Sequence, residues 1–329
     1  MEFIITDAEK MEAGKLKSFD SLDIEVGDSN DFEIQVSREC AEYLGFGAYI
    51  FSEDTEYGGR IEALKGNTYE DGLIWTGLTW RGLLEQIIIE PPPGLPYREV
   101  DGEANKVIRE VLRGYELGCM FSIPEVDSGI RMKGQFDRYV SAAAGFTALL
   151  EKQNARLSIK AKSGGTGEPF SVLLQAVPIT NYSQEIEYSQ DNNRVNLDYE
   201  DYRCGINHLI CLGKGELTER LVVHLYVQLD GSIGRKKYFE GIEERTAVYD
   251  YSSAEDEAAL IEYGEKRLKE LMNYRKAEMT VDDLEVEIGD IIAARDRETG
   301  IYLSKPIVRK ILKVKGGMET IEYKVKGEN

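Results

Sequence analysis

Residues 75–96 read WTGLTWRGLLEQIIIEPPPGLP: a tryptophan-bearing strand, about one turn of helix, three isoleucines, and a proline stop. Proline continues neither a helix nor a sheet ladder, so Pro91–Pro93 end whatever precedes them. An apolar stretch that breaks off so abruptly reads as the edge of a domain or a surface shaped to meet another protein, not as an active site. TWRGLLEQ is expected to seat a short helix on the core of a first domain, and PPPG to launch the chain into a second.

Upstream, Leu22, Ile24 and Val26 alternate, GDSND turns the chain, and Phe32, Ile34 and Val36 alternate again. That is the pattern of a hairpin with one buried face. AYIFS, RIEAL and LIWTGLTW add short strands joined by Gly- and Asp-rich turns, the signature of a small barrel or sandwich. The middle is mixed. A helix is expected from an Asp101 cap through Tyr115, with Ala104, Val107, Ile108, Val111 and Leu112 on one face. A second is expected from about Phe136 to Asn154, followed by the strands ARLSIKA, PFSVLLQAV, HLICLGKG and RLVVHLYVQLDG. A third helix opens at YSSAEDE, where Ser252 and Glu255 have capping-box spacing. Its stripe is Ile261, Leu268, Leu271 and Met272. The C-terminal strands LEVEIGDII, RDRETGIYL, PIVRKILKVK and TIEYKV form a meander. The expected class is therefore α+β, mainly β: two small β-barrel-like domains, residues 1–95 and 251–329 (the latter with its helix), flanking a mixed α+β region, 96–250.

At 329 residues the chain has room for two or three cores. No stretch approaches the ~20 apolar residues of a membrane span, and no signal peptide is recognisable, so a soluble protein made in the cytoplasm is expected. The formal charge of −20 argues against sequence-independent nucleic-acid binding, which needs a surplus of Lys and Arg. The last strands run against that balance. Lys305, Arg309, Lys310, Lys313 and Lys315 form a basic edge that can meet an acidic neighbour, or simply a solvated strand face.

Candidates for chemistry are few. Cys204, His208 and Cys211 have no familiar zinc spacing, and strand alternation sends 208 and 211 to opposite faces. Cys40, Cys119, Cys204 and Cys211 are scattered as reduced thiols are, not as a disulfide framework. His208 and His224 lie among apolar strand residues with no nucleophile elbow nearby. KSGGTGEP lacks the order of a phosphate loop, and SQDNNRVNLD places Val195 where a calcium ligand belongs. With 60 acidic residues, carboxylate pairs suited to glycoside hydrolysis arise by chance. No catalytic, cofactor or metal site is assigned.

Several motifs, in order along most of the chain, resemble those of phage tail hub proteins. They are Asp31–Val36 (DFEIQV), Gly58–Glu62 (GGRIE), Gly77–Leu84 (GLTWRGLL) with Pro91–Pro93, Asn207–Glu216 followed by Arg220, and Ile288–Ile292 (IGDII). The resemblance implies a structural protein of a phage or phage-tail-like particle, at its tail tip or baseplate. It implies a homotrimer whose two β modules per copy offer six similar faces to a hexameric tail tube and threefold symmetry to a central spike or tip protein. Other baseplate proteins are implied as neighbours, and no cofactor. Any wall-degrading or receptor-binding activity is expected on a separate polypeptide. Two rival readings are a carboxylate-dependent wall hydrolase of the same particle and a host-binding module with an exposed aromatic shelf.

Overall fold

The computed structural model describes the chain except for residues 17–18, 39–43, 70–71, 166, 185–194, 255, 282–285, 297, 301 and 326–329, and describes 195–197 and 275–281 in backbone only. It divides into unit 1, Met1–Leu197 with Met279–Lys326, and unit 2, Asp198–Glu278. No described helix is long and apolar enough to cross a membrane.

Unit 1 opens with β1 (Ile4–Thr6), β2 (Glu12–Lys15), β3 (Ser21–Val26), β4 (Asp31–Ser37), β5 (Tyr49–Phe51), β6 (Gly58–Gly66) and β7 (Gly72–Thr79). The alternation in β3 and β4 has the expected outcome: Leu22, Ile24, Val26, Phe32, Ile34 and Val36 are all buried. Gly59 and Gly77 have a steric reason to be glycine. A Cβ on Gly59 would stand 2.0 Å from the Leu78 carbonyl oxygen, and one on Gly77 would stand 1.9 Å from that of Arg60. Only bare backbone lets β6 and β7 approach this closely. Helix α1 (Trp80–Glu85) follows directly, its N-terminus capped by the Thr79 hydroxyl. The opening stretch thus faces two cores. Trp75 packs with Ile34, Val36 and Ile61, whereas Trp80, Leu83, Leu84, Ile87 and Ile89 belong to a separate cluster.

That second cluster is built by the next segment. It comprises β8 (Ile88–Ile89), β9 (Arg98–Glu103), α2 (Ala104–Leu112), β10 (Phe121–Ser122), β11 (Arg131–Phe136), β12 (Val140–Ser141), α3 (Ala142–Glu151), β13 (Ala155–Lys162) and β14 (Ser171–Pro178). Strand β8 pairs with β12, β9 with β11, and β13 lies antiparallel to β14 across the KSGGTGE turn. The α2 face is buried as expected, but Glu103 caps it, accepting from the amides of Asn105 and Lys106. Asp101 instead pairs with Arg131 from within β9. Helix α3 starts six residues later than its apolar pattern suggests. Phe136 ends β11, and Tyr139 adopts a φ of 55°, which no helix accepts, before Ser141 caps the true start.

Unit 2 contains β16 (His208–Leu212), β17 (Val222–Val227), β18 (Ile233–Gly234) and β19 (Thr246–Asp250), in the sheet order β18-β17-β16-β19, with helix α4 (Glu257–Leu271). β15 (Val195–Tyr202) precedes them and pairs with β20 (Tyr274–Val281). Leu260, Gly264 and Leu268 of α4 are buried against Leu209, Cys211, Val223 and Leu225. Leu268 lies in this core as expected and Ile261 and Leu271 pack against it, while Leu260 and Gly264 complete the face, where glycine lets the helix settle onto Cys211. Asp256, not Ser252, caps α4 by accepting from the Ala259 amide; Glu255 lies outside the described residues. The apolar face of α4 is spent on the β16–β17 sheet, so this helix groups with unit 2 and not with the C-terminal strands.

The chain closes with β21 (Ile291–Arg295), β22 (Tyr302–Lys315) and β23 (Met318–Val325). β22 pairs antiparallel with β3, from Lys310 opposite Val26 to Lys315 opposite Ser21. The strands of the two chain ends thus share one ten-stranded sheet, ordered β2-β1-β5-β6-β7-β4-β3-β22-β21 with β23 on β22. The class is mainly β, as the sequence pattern indicates. The described pairings form an open path between β2 and β21.

Candidate assembly surface

The basic edge singled out in the sequence lies on β22, and Arg309, Lys310 and Lys313 are matched by acids of their own fold. Strand β22 runs between β3 and β23, both rich in acids, and register sets the pairs. Arg309 binds Glu25 and stands 3.7 Å from Asp28. Lys313 Nζ lies 2.9 Å from Glu322. Lys310 is 4% exposed, its amine 2.7 Å from Glu287 and over the rings of Tyr57 and Tyr323 at 5.0 and 5.9 Å. An amine so enclosed cannot reach a partner, and Lys310 is a structural cation. Lys315 is exposed at the end of the strand, and Lys305 is half-buried near the β21 end of β22.

These pairs leave electrostatic traces. Burial pushes the Glu25 carboxyl up, but the Ser29 amide and the Arg309 guanidinium more than offset this and hold it below the usual carboxylate range. For Asp23, burial wins over Lys313 and the carboxyl is raised. Enclosure holds the Tyr57 phenol well above its ordinary range.

Two further ion pairs, not foreseen from the sequence, brace unit 1. Arg81 Nε is 2.5 Å from Glu56 Oε1, with both side chains under 8% exposed; burial raises the Glu56 carboxyl against the pull of Arg81. Arg156 binds Asp290 through two contacts, 2.8 and 3.2 Å. Asp290 also accepts from the amides of Thr180 and Glu287. Gly289, at φ 96°, lets the backbone pass over Arg156, where a Cβ would stand 2.8 Å from the arginine Cβ. The motif IGDII is thus a clamp that ties β13 to the C-terminal strands. Between these pairs lies a cleft of about 350 Å³, lined by Arg81, Glu85, Ala144, Ala148, Arg156 and Ile307. It presents the small side chains of Ala144 and Ala148 beside the charges of Arg81, Glu85 and Arg156.

Cys204 is exposed, while His208 and Cys211 project to opposite faces of β16. Among the described residues no three His, Cys, Asp or Glu side chains are grouped to hold a metal ion. Cys40 and most of SQDNNRVNLD lie outside them. His208 and His224 lie on neighbouring strands of one hairpin. Hairpin register brings them together: Ile210 stands opposite His224 and His208 opposite Tyr226, so the imidazoles are diagonal neighbours on one face.

No protein-family model matches the chain, and no curated protein matches its sequence. Solved structures do. The prophage tail protein gp18 from Listeria monocytogenes EGD-e aligns over 100% of this chain and 94% of its own, with a TM-score of 0.50 and 14% identity. The 43 kDa tail protein of prophage MuSo2 from Shewanella oneidensis aligns over 99% of this chain and 98% of its own, with a TM-score of 0.51 and 9% identity. The resemblance carried by the sequence motifs is thus met in the structure, and this chain has the fold of phage tail proteins.

Proposed function

We propose that this chain is a structural hub or tail-tip component of a phage or phage-tail-like particle, forming a trimeric adaptor between a hexameric tail tube and a central spike. The observation that carries the reading is the whole-length match to two prophage tail proteins. Fold likeness alone never fixes function, so the physical fit matters. A ring needs heterologous faces that repeat. The β3–β22 pairing holds the N- and C-terminal strands in one sheet, so both ends of the chain can contribute to the contact faces of each copy. A −20 chain lining such a ring would not retain passing DNA.

Exposed Lys315 is the part of the basic edge we assign to a neighbouring protein. The rival hydrolase needs a carboxyl poised for acid catalysis. The deeply buried Glu56 and Asp290 are each tied to an arginine, which favours a bracing role.

The test is the mass of the purified chain by analytical ultracentrifugation, alone and mixed with the tube and spike proteins of its particle. A trimer, or a monomer that trimerises with spike, is expected. Lys315→Glu should leave the fold intact and weaken tube binding. A stable dimer indifferent to both proteins, or lysis of cell walls abolished by changing one acidic residue, would overturn the proposal.

A further inference from the structure

The motif Asn207–Glu216 followed by Arg220 builds the loop between β16 and β17 of unit 2. Arg220 ties this loop shut. Its Nε donates to the Gly213 carbonyl oxygen at 3.0 Å, and its Nη2 lies 2.5 Å from Asp250. The Leu221 amide donates to the Lys214 carbonyl at 2.9 Å. Gly215, at φ 110°, passes so near Glu219 that a Cβ would stand 2.6 Å from its carbonyl oxygen. At the tip of the braced loop Leu217 adopts a φ of 50° and is 94% exposed. A single exposed leucine is ordinary. A leucine held in the left-handed region is not, since glycine or asparagine would sit there with less strain. Its side chain has no part in the core of unit 2. Glu216 and Glu219 stand exposed beside it.

Unit 2 also holds a recess suited to such a side chain. Strand β19 ends its sheet, and between it and the C-terminal half of α4 runs a groove of about 770 Å³. Ala247, Tyr263 and Leu271 give it apolar walls, and Lys266 and Arg267 line it as cations. These cations pair along α4, Lys266 with Glu262 at 2.7 Å and Arg267 with Glu270 at 2.6 Å. Exposed pairs of this kind hold weakly and can exchange for other carboxylates. A leucine flanked by two carboxylates thus complements an apolar groove flanked by two cations. The two do not meet within one copy. The loop leaves β16 at Gly213, beside Leu260 near the start of α4. The groove runs to the far end of the helix, where the Leu271 carbonyl accepts from the Ile206 amide. The 15 residues of α4 span about 22 Å.

We propose that Leu217 of one copy docks in the β19–α4 groove of the next, so that unit 2 links the copies head to tail. The proposal rests on the trimer reading given above and assigns it a contact. A knob and a groove at different places on one unit make a heterologous interface, which repeats and closes around a threefold axis. The carboxylates of Glu216 and Glu219 meet Lys266 and Arg267 across it and fix its direction. The strain at Leu217 is thus kept for a side chain that acts only in the assembly.

The test compares full-length chains by analytical ultracentrifugation with spike protein present throughout. Leu217→Asn accepts the left-handed backbone, so its melting temperature should be no lower than that of the wild type. The dissociation constant of its trimer should nevertheless rise about tenfold or more. Lys266→Glu with Arg267→Glu should weaken the trimer in the same way. Adding Glu216→Lys and Glu219→Lys to that variant should restore it, which a damaged fold could not do. Leu217→benzoylphenylalanine, irradiated in the trimer, should give a two-chain adduct that maps to residues 247–249 or 263–271. A Leu217→Asn trimer as tight as the wild type, a charge exchange that restores nothing, or adducts only within one chain or with spike would each overturn this contact and leave the trimer standing. A wild-type chain that stays monomeric beside spike would overturn the trimer reading and the contact together.

Discussion

Unit 1 holds both tryptophans of the chain and unit 2 both histidines, and the two units treat their polar groups in opposite ways. In unit 1 buried charges are paired in three places: Glu56 with Arg81, Asp290 with Arg156, and Lys310 with Glu287. Such pairs do little for net stability against an apolar equivalent, yet they exact a heavy penalty when one member is lost. They select one packing and punish others. In unit 2 the distinctive polar groups, His208 and His224, meet on the sheet face away from the core of Leu209, Cys211, Leu225 and Leu268. One unit pairs its enclosed charges, the other gathers its polar groups on one sheet face. Trp75 and Trp80 are buried, so tryptophan fluorescence reports unit 1, while histidine NMR reports unit 2.

The largest test of that contrast is Asp290→Ala. It strands the Arg156 guanidinium and two backbone amides, and should cost about 3–5 kcal/mol in denaturant unfolding followed by tryptophan fluorescence. Histidine resonances should not move. Equal disturbance in both reporters would erase the distinction between the units.

That clamp also shows what could be read from sequence and what could not. Alternation located the β3–β4 hairpin because a buried strand face writes its period of two directly into the chain. It could not show that β22, some 290 residues later, supplies the next strand, since pairing partners leave no local trace. For the same reason Lys310 read as part of a basic edge although Glu287 and two tyrosines enclose it. Apolar periodicity overran the start of α3 because Phe136 is buried whether it sits in strand or helix; the φ of Tyr139 decides the matter. The histidine pair was within reach: aligning HLICL with LVVHLYV as a hairpin brings 208 and 224 to diagonal positions.

A second, finer break separates charge from packing inside unit 1. Arg81→Met alone leaves Glu56 buried and unpaired, and should cost about 3 kcal/mol or more at neutral pH. Burial already raises the Glu56 carboxyl, so without Arg81 it should take up a proton, and the loss should shrink as pH falls. The double replacement Glu56→Leu with Arg81→Met should recover most of the loss at every pH. A double variant no better than the single would show that the pair is more than a device for specificity.

The smallest expected effect lies in the core of unit 2. Gly264→Ala favours α4 by roughly 1 kcal/mol through helix propensity. Its new Cβ, however, would stand 2.6 Å from Cys211 Sγ and 2.8 Å from Leu225 Cδ1. Overpacking of this kind typically costs about 1–3 kcal/mol, so the net change should be a loss of no more than about 2 kcal/mol, confined to unit 2. Cys211 provides the reporter. Burial pushes its thiol up to about 11, and the residue is fully enclosed. At pH 8 a thiol with that value is about two orders of magnitude less ionised than an ordinary one. Alkylation resolved site by site in a mass spectrometer should therefore find exposed Cys204 modified quickly and Cys211 slowly. In Gly264→Ala the Cys211 rate should rise while tryptophan fluorescence stays at the wild-type value. If the rate fell instead, helix propensity would have outweighed the contact, and α4 would have room to slide on its sheet.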